Sequence, residues 1–100
     1  MTLAYITCKD KKQAESITKH LLNKKLIACA NIFPISSIYT WKGKIVNEKE
    51  YVLVAKTNEK KFKAVVKETT KIHTYEIPCI LKIKEEANKP YAAWVEKELS

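Results

Sequence analysis

Residues 37–56 read Ser37-Ile38-Tyr39-Thr40-Trp41-Lys42-Gly43-Lys44-Ile45-Val46-Asn47-Glu48-Lys49-Glu50-Tyr51-Val52-Leu53-Val54-Ala55-Lys56. Gly43 is the only glycine of the chain, and it stands between two runs rich in aromatic and β-branched residues. Such runs favour strands, and glycine tolerates the positive φ of a tight turn. The stretch is therefore read as a hairpin. The first arm begins near Leu26 and passes Pro34, which suits a bend or an edge strand. The return arm spans about Ile45 to Lys56. Each arm reaches about a dozen residues, twice the usual strand.

The flanks supply the remaining elements. Residues 2–8 form a short apolar run that ends at Lys9-Asp10. Asp10 with Gln13 resembles a capping box, and Ala14, Ile17, Leu21 and Leu22 recur at helical spacing. Asn58 is placed to cap a second helix with the stripe Phe62, Val65, Val66, Thr69 and Ile72 or His73. Pro78 opens a fourth strand, Cys79 to Ile83. Pro90 starts a short C-terminal helix with Tyr91, Trp94 and Val95 on its apolar side. The order is β-α-β-β-α-β plus a helix, an α+β ferredoxin-like sandwich in one domain over residues 1–100. Strands that overhang a small sheet leave unpaired edges, which predicts self-association.

Hydrophobic residues make up 46% and charged residues 30%, enough apolar content for a packed core. The net charge is +8, yet all 19 basic residues are lysine. Arginine's planar fork is absent, so no specific nucleic-acid partner is expected. No apolar run approaches the roughly 18 residues of a membrane span, and the N-terminus lacks the pattern of a signal peptide. Three scattered cysteines, Cys8, Cys29 and Cys79, fit neither a disulfide framework nor a CxxC motif. A cytoplasmic location follows as the expectation.

Ala28-Cys29-Ala30-Asn31-Ile32 with Pro34, Ser37 to Lys44, Glu50 to Thr57, His73-Thr74-Tyr75-Glu76-Ile77-Pro78 and Tyr91-Ala92-Ala93-Trp94 together resemble the CutA family of divalent-ion tolerance proteins. The resemblance runs along nearly the whole chain. It departs at Ile35 and Thr74, where the family usually has glycine and proline, and at Cys79, where an acidic residue is common. It implies a homotrimer linked to divalent-metal tolerance and copper binding, with no obligatory cofactor.

The strand and helix directions put Cys8, His73, Asp10, Glu76 and the hairpin tip with Trp41 at one end of the subunit. A thiolate and an imidazole suit copper or zinc, and the resemblance ties Cys8 and His73 to metal. Against this, cysteine is often a buried small hydrophobe, and His73 falls in phase with the apolar stripe of its helix. A second candidate site gathers Tyr39, Trp41, Lys56, Tyr75, Glu76 and Trp94 as a subunit cleft for a small anionic ligand, with Lys56 as charge partner. The trimer would then act as a regulatory platform like the PII proteins. Packing alone also accounts for such aromatics. His20 is read as a surface histidine, and Cys29 and Cys79 as strand residues. No Ser-His-Asp arrangement, phosphate-binding glycine loop or arginine clamp is visible, so no enzyme is expected. The RNP aromatic motif of RNA-binding relatives of this fold is missing as well.

Overall fold

The computed structural model describes residues 1–100. Its elements are β1 (Thr2–Cys8), α1 (Lys11–Asn23), β2 (Cys29–Trp41), β3 (Lys44–Thr57), α2 (Glu59–Ile72), β4 (Ile80–Lys84) and α3 (Lys89–Leu99). The sheet order is β2-β3-β1-β4 with every neighbouring pair antiparallel, the ferredoxin-like arrangement expected from the sequence. No helix is long and apolar enough to cross a membrane.

Local chemistry places the elements. Asp10 accepts the Gln13 N–H at 2.8 Å, and the Gln13 side chain reaches back to the Lys9 N–H at 2.8 Å. Two orphan donors at the start of α1 are thereby satisfied. Asn58 does the same for α2 by accepting the Lys61 N–H. The hairpin closes at Lys42 and Gly43, with φ of 50° and 79°, directly after the Trp41↔Lys44 rung. Two successive positive φ angles make the tight turn whose twist matches the strands.

Burial alternates strictly along β1, with Thr2, Ala4, Ile6 and Cys8 buried. Ala4, Ile6 and Cys8 meet Leu53 and Ala55 of β3 and Ala14, Ile17, Leu21 and Val65 of α1 and α2 in one core. Helix α3 stands outside that cluster although its Val95 and Leu99 are buried. Its Tyr91 reaches Cys29, which lies in register with Lys56 and, across β3, with Leu3. Opposed residues share a face, so α3 folds onto the side of the sheet away from α1 and α2. Lys61 fastens this end by donating to the carbonyls of Lys25, at 2.8 Å, and of Leu99.

β3 is longer than β1, and the mismatch shapes the molecule. β1 pairs with Tyr51 to Thr57 only. The rungs from Ile35↔Glu50 to Trp41↔Lys44 join β2 and β3 alone. This ribbon projects beyond the core and stretches the molecule to 45 × 25 × 21 Å. Ile38 and Ile45 on one of its faces are 70% and 80% exposed, and Tyr39 and Trp41 lie on the other.

Two readings are corrected. Cys79 precedes β4 and does not lie within it, because strand pairing begins at Ile6↔Ile80. His20 is no free surface histidine: its Nε2 donates to Glu68 of α2 at 3.0 Å, and Lys71 donates to the same carboxylate at 3.2 Å.

Helix α1 ends in a Schellman motif, with Leu26 N–H bonded to the Leu21 carbonyl and Lys25 N–H to that of Leu22. Lys25 takes the left-handed position at φ 56°, where an L side chain costs about 1 kcal/mol. Lys25→Gly is expected to raise stability by about 1 kcal/mol, read as a higher denaturant midpoint at unchanged slope; no gain would refute a strained cap. Glu68 is held down to about 2 by His20, Lys71 and Lys24. Its folded pKa lies below its unfolded one, so its contribution is full above about pH 4–5 and is lost as pH falls toward 2. Glu68→Gln should flatten stability against pH in that window.

Candidate functional site

The segment between α2 and β4 crosses toward the root of the projecting ribbon, and His73 fastens it. The His73 backbone N–H closes α2 on the Thr69 carbonyl. Its Nε2 lies 2.8 Å from the Thr7 carbonyl, and its Nδ1 lies 3.1 Å from the Tyr75 N–H. A carbonyl only accepts and an N–H only donates. The ring is therefore the neutral tautomer protonated at Nε2. Tyr75 packs on this ring at 4.7 Å between centroids. One residue earlier, Thr74 Oγ1 accepts from the Gln13 side chain at 2.7 Å, tying the segment to the start of α1.

Under this segment lies a cleft of about 720 Å³. Tyr39 and Trp41 line it from β2, Tyr5 and Thr7 from β1, Glu50 from β3, and Tyr75, Glu76, Ile77 and Cys79 from the crossing segment. Glu50 is 6% exposed and accepts a hydrogen bond from the Tyr75 hydroxyl. Burial and Glu50 together push the Tyr75 phenol far above the ordinary tyrosine range. The hydrogen bond to Glu48 pushes the Tyr39 phenol up to about 12. Both phenols stay protonated and act as donors to carboxylates.

Four residues expected to share a cleft do share it: Tyr39, Trp41, Tyr75 and Glu76. Lys56 and Trp94 do not. Lys56 sits at the far end of β3, near Asn31 and 3.8 Å from the Cys29 sulfur. Trp94 stacks on Tyr91 of α3 at 5.6 Å. The cleft lining contains two carboxylates and no lysine, the reverse of a site for an anion. Glu50 was not singled out from the sequence. Its signal was a charged residue in phase with Val52 and Val54 on a strand whose register the turn at Gly43 sets.

The Cys8–His73 pair does not fit a divalent metal. His73 has both ring nitrogens engaged and no free lone pair. Cys8 is fully buried, and burial with the nearby charges of Glu50 and Asp10 pushes its thiol up to about 12. No group of three His, Cys, Asp or Glu stands together where a metal ion could be held. N-ethylmaleimide at pH 8 is accordingly expected to label Cys8 last of the three cysteines, and only after denaturant is added, as read by peptide mass mapping. Fast labelling of native Cys8 would overturn its inert assignment.

With that geometry in view, the sequence matches the family model of the CutA1 divalent ion tolerance protein over residues 2–98. A divalent-cation tolerance protein CutA of Thermotoga maritima is 41% identical over 100 residues, 99% of either chain. The solved structure described as the periplasmic divalent cation tolerance protein CutA of Archaeoglobus fulgidus is 40% identical, with a TM-score of 0.96 over 100% of both chains. A protein of Nostoc described as the PII-like protein CutA, solved in apo form, is 26% identical with a TM-score of 0.92, covering 100% of this chain and 98% of that one. On sequence and fold alike, the chain belongs to the CutA1 divalent ion tolerance family.

Proposed function

We propose that this protein serves divalent-cation tolerance as a homotrimer that binds and signals without catalytic turnover. The observation that carries the reading is the ribbon from Ile35↔Glu50 to Trp41↔Lys44, paired with no third strand. A two-stranded ribbon is marginal in water, and this one exposes isoleucines on one face and aromatics on the other. The isoleucine face calls for partner surface, and a second and third copy of the same chain supply it. The number three comes from the family resemblance. The likeness to a relative described as PII-like supports a regulatory platform of that kind.

In this reading divalent cations, copper among them, are the stress the protein answers, not ligands of Cys8 and His73. We place the protein in the cytosol on the ground of its three unpaired cysteines.

Light scattering after size exclusion tests the assembly. The wild type is expected at three times the 11.5 kDa chain mass. The double variant Ile38→Lys, Ile45→Lys adds charge to one face of the ribbon while leaving the core untouched, and is expected to shift to monomer with its circular dichroism retained. A wild-type monomer at micromolar concentration would refute the proposal.

A further inference from the structure

Glu50 is the only charged side chain among the buried residues. The ion pairs of the protein are all made by Glu59 and Glu68; none reaches Glu50. Its hydrogen-bond partner is the Tyr75 hydroxyl, which solvates a carboxylate without neutralising it. The charge is felt around it: it contributes to the upward shifts of Cys8, Tyr39, Tyr75 and Cys79. A buried carboxylate without a counter-charge is costly. A cation entering from outside the chain would supply the missing charge.

The walls say what kind of cation fits. Tyr39, Trp41 and Tyr75 line the cleft with Glu50, and Glu76 stands exposed among its lining residues. Aromatic faces attract an ammonium through their quadrupoles. A hard divalent ion instead wants six or more oxygens, and no such set of ligands is gathered here. About 720 Å³ lies within the range of small-molecule sites. In a chain with 19 lysines, the lining holds none.

We propose that the cleft between the β2–β3 ribbon and the segment after α2 binds a small organic cation, an alkylammonium, with Glu50 as its counter-ion. This rests on reading that end of the molecule as the binding site of the assembly proposed above. The ammonium sits against Glu50, the alkyl body lies along Tyr39 and Trp41, and Glu76 attracts the ligand at the mouth.

The test uses the assembled protein in a Trp94→Phe background, so that Trp41 is the sole tryptophan. Its fluorescence is titrated with 1,4-diaminobutane and, in parallel, with succinate. The expected result is a saturable change with the diamine and none with succinate. Glu50→Gln keeps the acceptor for Tyr75 and should weaken the diamine tenfold or more, whereas Glu59→Gln, at an exposed site, should not. No saturable response to the diamine in the folded wild type overturns the proposal. So does a Glu50→Gln protein that loses its assembly, because the cation is then a lysine of a neighbouring copy. A wild type that binds the diamine as a monomer refutes the trimer and leaves the cleft standing.

Discussion

The length of β3 governs this protein. It hydrogen-bonds β2 along the whole hairpin, from Cys29↔Lys56 to Trp41↔Lys44, but β1 only from Tyr51 onward. Where three strands lie side by side, α1 and α2 find a surface to cover and the core forms. Past Tyr51 the sheet continues without a third strand, so no core can form there. The cleft sits at that step, bounded by the last residues of β1 and the root of the ribbon. A shorter β3 would end the hairpin at the edge of the core and remove both cleft and overhang.

The segment after α2 depends on hydrogen bonds for its position more than on apolar packing. Ile77 is 72% exposed, whereas His73, Thr74 and Tyr75 each hold a fixed partner on α1, β1 or β3. The departure of Thr74 from the family's proline has a local account. Proline would rigidify the backbone and could accept nothing from Gln13. Threonine gives up that rigidity for a 2.7 Å bond to the side chain that also completes the cap of α1. The start of one helix and the exit of the other are thus held through one glutamine, itself 8% exposed.

Much of the fold was legible from local chemistry. Asp10 with Gln13, Asn58, Gly43 and Pro90 each punctuate an element for a stated reason, and the structure keeps each of them in place. Four of the six residues named for the cleft come together: directions of travel account for Glu76 and Trp41, and Tyr75 and Tyr39 stand beside them in the motifs. Lys56 failed for a reason already contained in the sequence. It shares a strand face with Glu50, but six residues at about 3.3 Å each separate them by about 20 Å. Parity fixes the face and rise fixes the distance; the first alone does not build a site. Trp94 depended on where α3 packs, and α3 has no side-chain cap bond or place in the main core to signal it.

A chain of net charge +8 repels cations at long range, and a cationic ligand therefore needs a local reason to bind. Screening supplies half of it. The Debye length at physiological ionic strength is about 8 Å, so lysines on the outer faces of α1 and α2 act weakly across the sheet. Burial supplies the rest. Glu50 lies at 6% exposure, where its field is poorly screened, while each of the surface lysines with an exposed ammonium is surrounded by water. One carboxylate in a cleft can outweigh many solvated lysines, because the strength of a charge depends on its medium more than on its number. Net charge describes how this protein meets a large polyanion or another copy of itself. It does not describe what enters the cleft, and an anion drawn in by the overall charge would meet Glu50 and Glu76 at its destination.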